Sequence, residues 1–265
     1  MKIPLTDYYV QSAEFYDLLS EPHWASRRES VLAALSPLAD TAIEVLDIGA
    51  GTGCCVQLIA QALPKARIYA VEPSASMRIG LITRVLLDPD LRARVTICAE
   101  ALQQASIPES LDLAVVCGCI GYFDREERAE LWRRLAVSLK PQGAVLADVM
   151  PPDRPQDSPA TRISSAEVGR DRYDIWLEGH PGRGDIMDWQ MRFEVWRGDQ
   201  IVRQFSPQRA WHTYGIDQLV AHAPEPGSQA TRLEDGPRPA APRRPRAQLT
   251  CQAPALLHPS SLLAR

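Results

Sequence analysis

The sequence predicts an α/β fold with a doubly wound, mostly parallel sheet. Short apolar runs typical of buried strands alternate with helical patterns over residues 41–150. A Gly-x-Gly-x-Gly turn, residues 49–53, follows the first of these runs, and an acidic residue, Glu72, ends the second. Glycines let the backbone turn sharply and approach a ligand where a Cβ would collide. Together these observations indicate a nucleotide-cofactor site at the carboxyl ends of the strands, with Glu72 placed to accept hydrogen bonds from ribose hydroxyls.

Apolar spacing places the elements in order along the chain. Two N-terminal helices are predicted at 8–20 and 26–37, because apolar side chains recur at helical spacing in both. Buried strands are predicted at about 43–48, 68–72, 94–98, 111–117 and 143–150. The intervening helices are predicted at about 54–63, 74–87 and 125–139, and Ser74 is a suitable N-cap for the second of them.

After the fifth strand the pattern changes. The segment 151–159 is polar and rich in proline, which indicates a loop or lid. Alternating runs at 173–177, 187–196 and 201–211, separated by turn sequences, predict an antiparallel insert beside the cofactor site. A last helix is predicted at about 215–222.

From residue 223 the chain is rich in proline and arginine and has no periodic pattern. Such composition predicts a disordered tail. The sheet would then lack its last two strands, and its fifth strand would have an open edge.

These patterns divide the chain into four parts: a helical cap over 1–40, a cofactor-binding α/β core over 41–150, a substrate-side lid, antiparallel insert and helix over 151–222, and the tail over 223–265. Composition agrees with one sizeable core, since 45% of the 265 residues are hydrophobic and 23% are charged. The net charge of -4 argues against a dedicated nucleic-acid binder, which normally has a basic face.

The six cysteines have no metal-ligand spacing, so we expect no metal site and reduced thiols, as in a cytoplasmic protein. No apolar run reaches the length of a membrane span, and we therefore expect no membrane association. The sequence gives no indication of the oligomeric state.

Two motifs carry most of a resemblance to the class I S-adenosylmethionine-dependent methyltransferases. The run Asp47-Ile48-Gly49-Ala50-Gly51-Thr52-Gly53 resembles the first motif of that family. The loop from Glu72 and Pro73 to Met77 resembles its second motif, in which the carboxylate holds the ribose and the methionine packs over the adenine. The resemblance implies a class I fold, methyl transfer as the activity and S-adenosylmethionine as the cofactor. It implies cofactor contacts from Asp47, Gly49, Ala50, Gly51, Gly53, Glu72, Pro73 and Met77.

Three weaker motifs follow in the family's order, so that the resemblance spans roughly residues 8–222. Glu100 and Ala101 fall where the family places an acidic residue near the adenine amino group. The run ending at Cys117 resembles the fourth strand, and residues 139–149 resemble the turn into the fifth. The resemblance therefore adds Glu100, Ala101 and Cys117 to the predicted cofactor contacts.

The methyl acceptor is predicted to lie after the fourth strand. There, Ile120-Gly121-Tyr122 resembles the loop of aminosugar N,N-dimethyltransferases, and Tyr16 resembles a helix tyrosine that closes over the methionyl part of the cofactor. Similar enzymes use the insert as a substrate platform. We therefore predict Tyr122, Trp176 and Trp189 as substrate contacts, since aromatic faces attract cationic groups.

The sequence identifies no catalytic base. Methyl transfer from a sulfonium is an in-line displacement that depends mainly on alignment of donor and acceptor. A base is needed only for a protonated amine or a hydroxyl. The candidates are His180, His212, Asp148 and Asp153, and no motif spacing links them to one another.

The favoured function is an S-adenosylmethionine-dependent methyltransferase acting on an amine or hydroxyl of a small molecule. One alternative is a methyltransferase relic that binds the cofactor without turnover. Another is a dinucleotide-dependent oxidoreductase. The evidence against it is Cys54, which occupies the position of the third glycine of Gly-x-Gly-x-x-Gly.

Overall fold

The computed structural model describes residues 7–41, 43–221, 229–232 and 255–258. The helices are α1 (Tyr16–Leu35), α2 (Cys54–Ala62), α3 (Ala75–Leu87), α4 (Pro89–Arg94), α5 (Arg125–Ser138) and α6 (Ile216–Ala221). Short 3-10 turns lie at Ala13–Phe15, Ser36–Leu38 and Ile120–Tyr122. The strands are β1 (Glu44–Ile48), β2 (Arg67–Val71), β3 (Val95–Cys98), β4 (Leu111–Val116), β5 (Leu139–Ala147), β6 (Ser158–Val168), β7 (Asp171–Pro181), β8 (Ile186–Arg197), β9 (Gln200–Phe205), β10 (Gln208–His212), β11 (Gln229–Arg232) and β12 (Ala255–His258).

The main sheet has the strand order β11-β12-β5-β4-β1-β2-β3. Its five strands from β5 to β3 are parallel, and β1 lies in the middle. Buried residues of α1, α2 and α3 cover one face and those of α5 and α6 cover the other. This confirms the predicted doubly wound sheet and places the glycine turn after β1 at its centre.

The insert forms a second, antiparallel sheet of five strands, β6 to β10. One of its faces packs against α1 and the turn before it, around the completely buried Phe15. The predicted antiparallel insert is confirmed, although β6 was not predicted. The segment 151–159 is irregular only as far as residue 157, because β6 begins at Ser158.

The N-terminal region contains one long helix where two were predicted. Helix α1 runs through Pro22, which cannot donate the hydrogen bond to Leu18 O that a helix requires. The hydroxyl of Ser164 in β6 donates to that carbonyl at 2.7 Å. A donor from the insert therefore satisfies the group that proline leaves unpaired, and the helix continues.

Two short strands lie beyond residue 222, where none was predicted. Strand β12 pairs antiparallel with β5, and β11 pairs with β12. The prediction that the sheet lacks its last two strands and leaves β5 open is therefore wrong. The rest of the predicted tail lies outside the described residues.

No described helix has both the length and the apolarity needed to cross a membrane. The described residues also contain no group of three or more His, Cys, Asp or Glu side chains that could hold a metal ion.

Candidate active site

The glycine turn after β1 depends on glycine at three positions. Gly49, Gly51 and Gly53 have φ values of 73°, 58° and 93°, which residues with a side chain rarely adopt. A Cβ on Gly51 would lie 3.2 Å from the Tyr16 ring, and one on Gly49 would lie 2.9 Å from Cβ of Cys119. The glycines therefore allow close packing within the protein itself. Helix α2 begins at once after the turn and directs its N-terminal amides towards it.

Glu72 holds the glycine turn to the start of α3. Its carboxylate is buried and accepts hydrogen bonds from the N–H of Gly51 at 2.8 Å and of Ser74 at 2.7 Å. Burial raises the pKa of Glu72, although both hydrogen bonds oppose the shift. Each carboxylate oxygen keeps a second acceptor position for a ligand hydroxyl.

Asp47 lies directly below the turn and is completely enclosed. Burial raises its pKa to about 7, which the hydrogen bond with Cys55 only partly offsets. Its Oδ2 has no hydrogen-bond partner among the described residues. A buried acceptor atom without a partner is costly, so this position fits a site that a ligand with donor groups completes.

A cavity of about 250 Å³ lies between the glycine turn, α1 and the insert sheet. Residues from all three regions, and from the turn after β4, line it: Tyr9, Tyr16, Leu19, Ser20, His23, Trp24, Gly49, Ala50, Thr52, Cys54, Cys55, Cys117, Gly118, Tyr122, Met150, Pro151, Ile163, Leu177, Trp189, Met191, Arg209 and Trp211. None of these side chains is a carboxylate. Six of the predicted site residues line this cavity as side chain or backbone, namely Tyr16, Gly49, Ala50, Cys117, Tyr122 and, from the insert, Trp189.

The remaining predicted cofactor contacts do not line the cavity. Met77 is completely buried in the first turn of α3, whereas Glu100 is exposed and Ala101 is half-buried. Pro73 follows Glu72 in the loop before α3, and Gly53 caps α2. At this end of the site, Asp7 accepts hydrogen bonds from Ser74 Oγ at 2.7 Å and from the N–H of Ser76 at 2.9 Å. Burial alone would raise the pKa of Asp7, but these hydrogen bonds lower it to about 2.

A cluster of aromatic side chains and one arginine forms the insert side of the cavity. The hydroxyls of Tyr122 and Tyr9 are 2.7 Å apart, and Arg209 Nη1 donates to the Tyr122 hydroxyl at 2.9 Å. The Arg209 guanidinium lies 4.2 Å from the centre of the Tyr9 ring, and the Trp211 ring centre is 4.5 Å from that of Tyr122. Tyr9 and Arg209 were not predicted from the sequence. Nothing in their local sequence distinguishes them from other surface residues.

Trp176 lies on the opposite face of the insert sheet and does not line the cavity, contrary to the predicted substrate contact. Side chains alternate between the two faces of a strand, and Ile175 and Leu177 already face α1. The Trp176 indole donates to Glu194 Oε2 at 3.1 Å and lies 4.8 Å from the Arg192 guanidinium. Its role is therefore to pack the outer face of the sheet.

The four candidate bases lie at different places. His180 is exposed and bonds to Asp157 and Glu178, while His212 bonds to Asp185. Asp153 is exposed. None of these three side chains lines the cavity.

Asp148, at the end of β5, is completely buried and bonds to groups beside the cavity. Its Oδ1 accepts a hydrogen bond from the N–H of Gly118 at 2.7 Å, and its Oδ2 lies 3.1 Å from His23 Nε2 and 3.4 Å from Arg27 Nε. Burial alone would raise the pKa of Asp148, but the His23 hydrogen bond and the Arg27 charge lower it. The ionised carboxylate thus ties α1 to the turn after β4. His23 and Arg27 were not predicted as site residues from the sequence.

Comparison with known proteins agrees with this arrangement. Residues 45–143 match the family described as a methyltransferase domain. The amino pentose methyltransferase CalS10 from Micromonospora echinaspora, solved with S-adenosylmethionine bound, is 16% identical, with a TM-score of 0.68 over 92% of this chain and 95% of that one. The sugar N-methyltransferase KedS8 from a Streptoalloteichus species is 19% identical, with a TM-score of 0.67 over 92% of each chain. No curated protein sequence matches significantly.

Identities this low show a shared fold, and the family model covers residues 45–143 of the chain. The matched segment begins within β1 and includes the glycine turn, Glu72 and the end of β4. The positive-φ turn, the buried Glu72 and the unpartnered Asp47 Oδ2 fit a nucleoside cofactor with donor groups. Residues 45–143 therefore match a methyltransferase domain, and the chain has the fold of the class I S-adenosylmethionine-dependent methyltransferases.

Proposed function

We propose that this methyltransferase acts on a small molecule, at an amine or a hydroxyl. The observation that supports the proposal is the cavity of about 250 Å³ that lies between the glycine turn on one side and the insert sheet on the other. Such a volume suits a small acceptor better than a folded macromolecule. The names of the amino pentose and sugar N-methyltransferases with the same fold also support a small acceptor.

S-adenosylmethionine, when bound, supplies a methyl group from its sulfonium to a nucleophile. The residues of this chain must therefore align the acceptor and exclude water, and alignment alone can be worth roughly 7–11 kcal/mol. Rigid aromatic rings from Tyr9, Tyr16, Tyr122 and Trp211 enclose the space beside the end of β4. They would hold an acceptor in a fixed orientation.

The predicted cofactor residues divide between two ends of the site. The amides of the glycine turn and of α2 would hold the methionyl carboxylate, next to Tyr16. Glu72 would hold the ribose, and Met77 with Ala101 would border the adenine. Asp47, below the turn, would accept a hydrogen bond through Oδ2. In this proposal residues 41–150 supply the cofactor side together with Tyr16, while the rest of the cap over 1–40 and the insert over 151–222 supply the acceptor side together with Tyr122.

Turnover with a panel of acceptors tests the proposal. The full chain is incubated with S-adenosylmethionine and with amino sugars, aliphatic amines or phenols, and formation of S-adenosylhomocysteine and of methylated product is measured by mass spectrometry. We expect methylation of at least one class. Tight cofactor binding without turnover on any of them, or methylation of nucleic acid or protein instead, would contradict the proposal.

Replacing Glu72 tests the proposed ribose contact. Glu72→Ala should weaken S-adenosylmethionine binding by about 1.5–3 kcal/mol, the range for hydrogen bonds to a charged group. The variant also loses the carboxylate that holds the Gly51 amide. Titration calorimetry measures the affinity, with Glu109→Ala as a control because Glu109 is exposed and is not among the predicted cofactor contacts. Unchanged affinity in a folded Glu72→Ala protein would refute the contact.

Two tryptophans of the insert sheet give a matched test of the acceptor side. Trp189 lines the cavity and Trp176 lies on the other face. Trp189→Leu should raise the KM for the acceptor up to about tenfold, since aromatic contacts are worth about 0.5–1.5 kcal/mol. Trp176→Leu should leave that KM unchanged. Equal effects of the two substitutions would mean that the cavity is not where the acceptor binds.

A further inference from the structure

Arg209 is a cation in the cavity wall without an anionic partner. It lies in β10, and its side chain reaches the N-terminal segment and the turn after β4. It donates to three neutral oxygens: the Tyr122 hydroxyl at 2.9 Å, the Tyr8 carbonyl at 3.3 Å and Ser12 Oγ at 3.3 Å. No carboxylate within the described part of the chain pairs with it.

The guanidinium also keeps unused hydrogen-bonding capacity. An arginine has five N–H donors, and the three bonds above leave two. One of these is on Nε, which is buried and has no partner among the described residues. Burying a charge without a counter-charge is costly, because the desolvation penalty is not recovered. The contact with the Tyr9 ring, 4.2 Å away, recovers only part of it.

The rest of the cavity provides no negative charge to balance Arg209. Its other lining groups are mainly aromatic, aliphatic, hydroxyl or thiol groups. Besides Arg209, the basic side chain in the lining is that of His23. His23 is already bonded to Asp148, which does not line the cavity itself. A ligand group beside Arg209 thus meets a positive charge, which favours a negatively charged group at that end of the cavity.

We propose that Arg209 binds an oxyanion, a carboxylate or a phosphate, carried by the methyl acceptor. The planar guanidinium can bind two oxygens of such a group, and the hydrogen-bonded hydroxyls of Tyr9 and Tyr122 lie beside it, with one O–H left as a further donor. Because Arg209 and the glycine turn line one cavity, the oxyanion and the methylated atom belong to opposite ends of a single small molecule. This inference rests on the proposed small-molecule function and specifies the class of acceptor.

Binding of three probes of similar size tests the proposal. Benzoate, phenyl phosphate and neutral benzamide are titrated into the full chain by calorimetry. At least one of the two anions should bind tenfold or more tightly than benzamide, and the stronger anion identifies carboxylate or phosphate as the recognised group. This comparison requires no variant. Equal binding of all three probes would overturn the proposal.

Variants then assign the effect to one side chain. Arg209→Gln should remove the preference for the anion, whereas Arg209→Lys, which keeps the charge, should retain part of it. Arg183→Gln is the matched control, since it removes the same charge from an exposed turn. An unchanged preference in Arg209→Gln would also overturn the proposal. If Arg209→Gln does not fold, the Arg209→Lys variant and the probe comparison on the original chain decide.

The test separates this inference from the proposed function. Selective anion binding without methylation of any small acceptor would remove the proposed function while Arg209 remained an anion site. Methylation of an uncharged acceptor with the same KM in Arg209→Gln would support the function and refute the role of Arg209.

Discussion

Gly51→Val is expected to abolish S-adenosylmethionine binding, with a loss of at least about a hundredfold in affinity. Two effects combine at this position. The φ of 58° is strained for any β-branched residue, and the added Cβ would lie 3.2 Å from the Tyr16 ring. Relief of that contact must move Tyr16 or the turn, and both belong to the proposed methionyl site. Calorimetry with S-adenosylmethionine measures the loss.

A second glycine provides the control for backbone strain. Gly198, in the hairpin between β8 and β9, has φ 57°, but a Cβ there meets no atom within 4 Å. Gly198→Val should therefore destabilise the fold to a similar extent and leave cofactor affinity intact. If Gly51→Val binds as tightly as Gly198→Val, the turn is not the cofactor cradle.

Asp148→Ala is expected to lower the free energy of unfolding by about 3–5 kcal/mol, the usual cost of breaking a buried ion pair by removing one partner. The substitution leaves the completely buried Arg27 guanidinium without this carboxylate and frees the N–H of Gly118. Urea denaturation measures the effect. The control is Asp171→Ala, which breaks a surface pair with Arg197 and should cost at most about 1 kcal/mol.

The Asp148 effect should also depend on pH. Its pKa is lower in the folded state than the ordinary 3.8, so the folded state favours the ionised form. The stabilisation is therefore present in full well above pH 3.8 and is lost as the pH falls through the folded-state pKa. The difference between the original chain and Asp148→Ala should shrink in that acid range. The ion-pair assignment would be contradicted if the difference in the free energy of unfolding at neutral pH were at most about 1 kcal/mol, as for a surface pair. A difference that grows in acid would also contradict it.

The sequence predicts the central sheet because its strands are defined locally. Strands β1, β2 and β4 are short, buried apolar runs, and each remains recognisable without knowledge of its neighbours. Strand β6 is different. Apart from the buried Ser158, its residues are exposed or half-buried and include Ser, Arg and Glu, so only pairing with β7 makes it a strand.

Helix α1 and strand β12 were also not predicted correctly, because each depends on contacts with residues distant in the sequence. The continuity of α1 at Pro22 depends on Ser164, and the position of β12 depends on the free edge of β5. A single-sequence pattern contains neither partner. Proline and low periodicity therefore predicted a helix end and a tail where the structure has a helix and a strand.

The candidate site was predictable where one segment forms it. The glycine turn and Glu72 are separated by one helix and meet because parallel strands end at the same edge. Arg209, Tyr9 and Tyr122 come from three distant segments, and no local pattern links them. The faces of Trp176 and Trp189 depend on which strand positions point to α1, and that register is set by the packing around Phe15.

The pairing of β12 with β5 has a consequence for the order in which the chain folds. Strands β6 to β10 join through short turns, whereas Ala255 and Ala147 are partners from opposite ends of the second half of the chain. Closing a longer loop costs more entropy, so local pairs form earlier. The insert sheet should therefore assemble while the backbone of β5 still lacks its neighbour. During that interval β5 presents unpaired N–H and C=O groups, and an unfolding intermediate or a nascent chain would be open there to pairing with another molecule.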